Sequence, residues 1–381
     1  MRKVILQLHL IVALTAGVFI VILGATGGIM AFEPELDRLV PRIAYVKPHG
    51  TPLPLAQIGE AVSKLFPNHQ IIGYALPARP NLSYGVMIAR PQPPFHGQGV
   101  LVDQYSGRVL GTMDGRNFVT FVHTFLGFVH QFHIRLGLLD KGRKFGEMTV
   151  RWSAFAALFL LISGAYLWWP RKQFGVAGRA GTARFWFDLH NTFGIVSLAF
   201  VLVLLVTGLV ISFETQTTPF LYRISRSQPP LWPRMQVTPM SGQSPITPDK
   251  ALAIARAAVP AATPNFITDP HENQPYLIFS RYPEDHTPGG RTRIAIDPYS
   301  GKILMVIDSR RAPTGYRLIN LNRALHTGDI WGIPSEVAMS LASLILPLQL
   351  LTGVVVWRKR QRVESKATTV SNTATLVVER N

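Results

Sequence analysis

The chain of 381 residues contains no cysteine. Disulfides, iron–sulfur clusters and thiolate metal sites are therefore excluded. Any redox chemistry must use a bound organic cofactor or histidine-ligated iron. Charge is also scarce, at 15% of residues against 48% hydrophobic. That excludes a disordered chain and disfavours an ordinary soluble enzyme. Acid is the scarcer sign: 21 Asp+Glu face 38 Lys+Arg, a net +17. The sequence has no G-x-G-x-x-G after a strand and no P-loop, so it carries no evident nicotinamide, flavin or ATP site of its own.

Long apolar runs are abundant. Four are long enough to cross a bilayer: 1–32, 148–170, 185–213 and 335–357. The first is far too long for a signal-peptide core and reads as a retained anchor. Basic residues flank these runs on one side only. Arg2 and Lys3 precede the first. Arg171, Lys172, Arg179 and Arg184 fill the 171–184 link without an acid, and Arg358, Lys359, Arg360 and Arg362 follow the fourth. The positive-inside rule makes that side cytoplasmic, with both termini in and two long loops, 33–147 and 214–334, on the other side. The clusters track the spans, which argues against nucleic acid as the partner and leaves membrane lipid. The tail, 358–381, becomes polar and patternless beyond about 363 and reads as unstructured.

The two halves repeat each other. His9 is followed seventeen residues on by Thr26-Gly27, and His190 seventeen residues on by Thr207-Gly208. Phe32-Glu33 and Phe213-Glu214 then occupy matching positions. Ser163-Gly164 precedes Trp168 as Thr352-Gly353 precedes Trp357. In the loops, Asp103-Gln104-Tyr105-Ser106-Gly107 parallels Asp297-Pro298-Tyr299-Ser300-Gly301, a strand–turn–strand pattern. His133 follows the first Asp by 30 residues and His326 the second by 29. Both halves run inside to outside and back, so the repeat is parallel about an axis along the membrane normal. Each loop reads as one α+β unit. The first has a helix near 55–66 and strands near 73–89 and 99–111. The second has a helix from Thr247 to about Val259, and strands near 275–281 and 291–307. The fold class is an all-α membrane core of four helices, in two pseudo-symmetric hairpins, with two outer α+β units.

An ionisable residue inside a span marks function by default. Under the repeat axis His9 opposes His190 near the cytoplasmic face, and His133 opposes His326 near the outer face. Two neutral imidazoles at one depth suit the axial positions of a haem, whose apolar faces replace side-chain packing. The competing roles are helix–helix hydrogen bonding for His9 and His190, and an ordinary solvated or capping histidine for His133 and His326. His130 and His123 lie near the face of His133, and either is an alternative outer ligand or a propionate partner. Arg135 and Arg323 sit near the outer pair and suit propionates, or are surface cations. His49, His69, His96, His271 and His286 lie in polar loops and are given no role. From His9 to Glu33 the helix spans about 36 Å, too far for one haem and suited to two in series.

These motifs, with Leu8-His9-Leu10, Gly142-Arg143, Trp168-Trp169-Pro170-Arg171, Asp188-Leu189-His190 and Leu325-His326-Thr327-Gly328, resemble the PepSY-associated transmembrane family of iron-regulated inner-membrane proteins, especially its ferrioxamine reductase branch. The likeness covers about residues 1–362. It implies a bacterial inner membrane, two periplasmic α+β PepSY-like units, two b-type haems, and reduction of ferric siderophore iron. The expected function is transmembrane electron transfer from a cytoplasmic donor or membrane quinol to a periplasmic ferric chelate. Two rivals remain. One is a siderophore or haem permease, disfavoured by the lack of a broken-helix signature. The other is a non-enzymatic PepSY regulatory protein anchored by its spans.

Overall fold

A computed structural model describes residues 1–33, 36, 45–91, 97–112, 118–170, 172, 174–230, 237–238, 242–271, 273–287 and 289–378, without the side chains of 118–124 and 363–378. Two compact units emerge. A membrane unit comprises 1–32, 128–214 and 325–381, and a sheet unit comprises 33–127 and 215–324.

The membrane unit contains α1 (Arg2–Met30), α4 (Arg143–Trp168), α5 (Ala183–Val196), α6 (Leu198–Ser212) and α10 (Ile333–Val378). Segments Arg2–Met30, Asp140–Trp168 and Ile333–Arg362 are each long and apolar enough to cross a membrane. Arg2 at the start of the first, Trp168 at the end of the second and Trp357 to Arg362 at the end of the third mark the usual interfacial boundary. Because lipid tails are as apolar as leucine, helices in a bilayer associate by close approach of small residues. α1 and α10 do so. A Cβ on Gly24 would lie 2.7 Å from Ser343 O, and one on Gly28 would lie 2.9 Å from Leu344. Ser340 Oγ donates to Gly28 O and Ser343 Oγ to Gly24 O, both at 2.9 Å. Ile20, Ala157, Val201, Leu205 and Ala342 form the buried centre.

The third apolar run departs from the sequence reading. It is two helices, α5 and α6, bent by 61° at Ser197, and counts as a fourth span only if the pair crosses as one. Two causes act together. Ser197 Oγ donates back to Phe193 O at 2.7 Å. Gln349 Nε2 inserts from α10 onto His190 O at 3.0 Å. Both perturb the i→i−4 ladder beside Gly194, which lies against Gln349. Hydropathy alone carries no trace of such a bend, so the expected absence of a broken helix is corrected.

The sheet unit contains α2 (Leu55–Leu65), β1 (Gln70–Ala75), β2 (Tyr84–Ala89), β3 (Gly97–Val102) and β4 (Val109–Thr112) from the first loop. The second loop gives α7 (Glu214–Ile224), α8 (Pro248–Ala258), β5 (Thr263–Thr268), β6 (Tyr276–Arg281), β7 (Thr292–Ile296) and β8 (Ile303–Ile307). Helices α3 (Phe118–Arg135) and α9 (Thr314–Thr327), with a short 3-10 helix at Asp140–Gly142, complete the described elements. The two expected outer units are one body: a single antiparallel sheet in the order β4-β3-β2-β1-β5-β6-β7-β8. The join is β1 against β5, with Gly73↔Thr268, Tyr74↔Ile267 and Ala75↔Phe266. The register is symmetric about the central pair, as two copies of one strand meeting antiparallel must be. A lone four-stranded unit exposes an edge that invites pairing, and fusing the copies covers it. β5 escapes the sequence reading because Pro264 breaks its pattern.

One face of the sheet buries alternate residues Val86, Ile88, Val100, Val102, Ile278, Ile294 and Ile296 beneath Leu55, Ile58 and Val62 of α2 and Ala251, Leu252 and Ala255 of α8. The opposite face packs Ala295, Met305 and Ile307 with Tyr316 of α9. The two repeated turns are alike in detail. Asp103 Oδ1 accepts from Tyr105 N at 3.0 Å, and Asp297 Oδ1 from Tyr299 N at 2.8 Å. Gly107 and Gly301 both sit at φ +71°, where a side chain would be strained. One asymmetry is instructive. Asp249 of α8 caps α2, accepting from Leu55 N and Ala56 N at 2.8 and 3.0 Å. The N-cap residue of α2, Pro54, offers no side-chain acceptor of its own.

The tail also differs from expectation: α10 continues to Val378. After Gly353 the sequence holds neither Gly nor Pro, so nothing stops the helix.

Asp269, at the exit of β5, has its carboxyl pushed up to about 6 by burial. Tyr74 and Tyr276 are raised too, by burial first and then by Asp269. The folded state thus holds the Asp269 proton more tightly than the unfolded chain. The associated stability is full below pH 4 and is lost as pH rises through 6. Asp269→Asn should therefore raise stability at pH 7.5 by on the order of 1–2 kcal/mol after solvent screening, read as a higher melting temperature. It should change little at pH 4.5. An equal effect at both pH values would refute the assignment.

Candidate functional site

The four histidines singled out by the repeat share one local construction. His9 Nδ1 lies 2.8 Å from Ser163 Oγ. His190 Nδ1 lies 3.0 Å from Thr352 Oγ1. His133 Nδ1 lies 3.0 Å from Thr26 Oγ1, and His326 Nδ1 lies 3.0 Å from Thr207 Oγ1. In every case the hydroxyl comes from the residue before a glycine of another helix: Gly164, Gly353, Gly27 or Gly208. The missing Cβ is where the imidazole edge sits. A Cβ there would approach His9 Cε1 to 3.5 Å, His190 Cε1 to 3.3 Å, His133 Cε1 to 3.1 Å and His326 Cε1 to 2.9 Å. The hydroxyl–glycine pairs that appear as repeat landmarks are thus seats for histidine rings.

The hydroxyls also decide which ring nitrogen carries the proton. Ser163 Oγ donates to Phe159 O at 2.7 Å, and Thr352 Oγ1 to Leu348 O at 2.8 Å. Thr26 Oγ1 donates to Ile22 O and Thr207 Oγ1 to Val203 O, both at 2.6 Å. A hydroxyl has one proton. With that proton committed to the helix carbonyl, the oxygen can only accept from the ring, so Nδ1 bears hydrogen and Nε2 keeps its lone pair. Orientation of a ligating imidazole through its second nitrogen is how metal-binding histidines are fixed.

His133 and His326 face each other with ring centroids 6.3 Å apart and planes at 49°. One metal between two Nε2 atoms needs bonds of roughly 2 Å on each side. With about 1.1 Å from nitrogen to ring centre, the centroids should be about 6 Å apart, as found. Among the described residues no group of three or more His, Asp or Glu converges as a metal cage. Two nitrogens alone are the protein's share of a haem, whose macrocycle supplies the other four.

The remaining candidates separate cleanly. His130, three residues before His133, is exposed. Arg135 has its Nε buried and without a hydrogen-bond partner, an orphaned donor beside the outer pair in sequence. Arg323 is half-buried and lies in the sheet unit. The side chain of His123 and all of Arg171 and His96 fall outside the described residues. Glycines follow both outer histidines where their helices stop, with Gly137 at φ +71° and Gly328 at φ +88°.

The end of the membrane unit that carries His9 and His190 gathers cations. Arg2 Nη2 donates to Leu167 O at 2.8 Å. Lys172 lies over the Trp169 ring at 4.6 Å and Arg360 over Phe187 at 5.5 Å. Arg184 pairs at 2.8 Å with the buried carboxylate of Asp188, which also accepts from Ala177 N. The 171–184 link is tied to α5 through that carboxylate. Sequence reading quoted Asp188 only as part of a motif; its burial at 2% exposure shows the structural role.

Thr352→Val keeps the shape but removes the hydroxyl acceptor of the His190 Nδ1–H, leaving it the Gln349 carbonyl alone, and should lower stability by about 1 kcal/mol, read as a lower melting temperature. Thr352→Ser should restore the wild-type value. Equal melting temperatures for the Val and Ser variants would contradict the proton assignment.

No curated protein matches the chain. The model of one family, described as the PepSY-associated TM region, matches residues 6–360. The sheet, the histidine seats and all but the first and last few residues of the spans lie within that match, and the chain is a membrane protein that belongs to the PepSY-associated TM family.

Proposed function

We propose that the protein is a di-haem b-type reductase of a bacterial inner membrane, carrying electrons outward to ferric iron held by a periplasmic siderophore. The observation that carries this reading is the His133–His326 pair, 6.3 Å between centroids, each ring held through Nδ1 by a helix hydroxyl. The inner pair, His9 and His190, has the same seats and the same proton assignment. On α1, His9 and Thr26 are separated by about 25 Å of helix, so the inner and outer seats stand at two heights. Bound at these seats, b-type haems would supply one-electron centres at two depths of the bilayer.

The chain's own residues do the rest. Thr26, Thr207, Ser163 and Thr352 hold the imidazoles and their protons. Gly27, Gly208, Gly164 and Gly353 give the rings room. The buried Nε of Arg135 suits an outer propionate. The cations at the inner end, which bracket Leu167 and Phe187, support a cytoplasmic placement of that end and of both termini. The four-helix core then counts α5 and α6 as one bent crossing, and the sheet unit is periplasmic. The electron donor is a cytoplasmic carrier or a membrane quinol. The ferric chelate needs no acid or base from the protein: iron(II) binds hard oxygen ligands less tightly, so reduction releases it.

The bend at Ser197 favours a second reading, a siderophore or haem permease, since irregular helices in membranes commonly line a transport path. A regulatory PepSY protein without a cofactor predicts that the four histidines matter for stability alone.

Single replacements separate these. His133→Ala and His326→Ala should each remove the same half of the haem signal in the purified protein. His9→Ala and His190→Ala should each remove the other half. His130→Ala should leave both. Loss of haem in His130→Ala with retention in His133→Ala would overturn the outer assignment. Siderophore-iron uptake by cells carrying haem-free variants would favour the permease.

A further inference from the structure

The sheet unit contains a cleft of about 380 Å³ that the electron-transfer reading does not use. It lies where the loop after β6 meets the start of β7 and the first two turns of α9. Its charged and polar lining includes Glu284, Asp285, Arg291, Ser309 and Arg317. The two acids are engaged within the fold. Glu284 is paired with Arg310, whose Nη2 donates to Oε2 at 3.0 Å. Asp285 accepts from Tyr282 N at 2.9 Å and from Ser309 Oγ at 3.1 Å. The donors are not so balanced. Arg291 has its Nε buried with no hydrogen-bond partner, and Thr287 Oγ1, on the same wall, is likewise buried and unsatisfied. Burial, and then the like charge of Arg323, press against the charge of Arg291. A guanidinium does not relieve that pressure by losing its proton. Asp285 offsets part of it, and a bound anion would offset more.

We infer that this cleft binds a small organic carboxylate, gripped by Arg291 and Arg317 with Thr287 as a further donor. The guanidinium fork matches a carboxylate with two parallel bonds. α9 begins at Thr314 in the lining, so the positive end of its dipole lies at the site. The volume suits an organic acid rather than a bare inorganic anion, which would leave most of the cleft unfilled. Leu318 and Leu321 supply an apolar wall for a carbon skeleton. Every residue invoked lies in the sheet unit, so the inference stands apart from the haem reading.

The test is calorimetric titration of the full-length protein in detergent with citrate, ferric citrate and inorganic phosphate, on wild type and on Arg291→Gln and Arg317→Gln. Arg317 is exposed, so its variant keeps the fold even if Arg291→Gln does not. Saturable binding of citrate or ferric citrate is expected, weakened about tenfold or more in each folded variant. The two citrate arms decide whether the ligand carries iron. Phosphate should bind more weakly than either. No saturable citrate binding, binding unchanged in Arg317→Gln, or phosphate bound as tightly as citrate would overturn the inference.

Discussion

One hydrogen atom, held between a helix hydroxyl and its own backbone carbonyl, sets the character of the membrane unit. Because each of the four hydroxyls spends its proton on the carbonyl four residues back, it faces histidine as an acceptor only. The imidazole must then present Nδ1–H to it and keep Nε2 basic. In water this preference would be weak. In a bilayer an unsatisfied ring nitrogen is costly, so the preference becomes a constraint. Glycine beside the hydroxyl is the second half of the device: a Cβ would crowd the ring at Gly27, Gly208 and Gly353 and touch it at Gly164. The four seats therefore read as one motif used four times, a hydroxyl, a glycine and a histidine from a neighbouring element.

Duplication explains why the motif is used in this way. A single half offers one histidine near each end of the membrane unit, and on the proposed function each needs a partner from the other half. Doubling supplies the partner at each height. The same doubling completes the sheet, where β1 and β5 cover each other's edges with a symmetric register. Departures from symmetry then show where the halves have diverged. Asp249 caps the helix of the other half, and only the second half carries the bend at Ser197 and the inserted Gln349.

Much of this was legible in the sequence because the relevant signals are local. Span positions follow from apolar length, and the histidine–hydroxyl spacing of seventeen residues survives in both halves. The role of Thr26, Thr207, Ser163 and Thr352 as histidine partners was not legible. Sequence marks them as landmarks, and only packing reveals what touches them. The choice of His133 over His130 was likewise open, since three residues on a helix share a face and only contact distinguishes them. The fused sheet was hidden because pairing between β1 and β5 joins residues about two hundred positions apart. The bend at Ser197 depends on a glutamine from another helix, which no local pattern records.

The account rests on paired imidazoles at two heights holding iron porphyrin. The most direct measurement is a haem count on the purified full-length protein, by pyridine haemochrome against protein concentration, with visible spectra of the oxidised and dithionite-reduced states. Two b-type haems per chain with low-spin spectra is the predicted result. A folded, colourless protein that still supports iron acquisition in cells would contradict it.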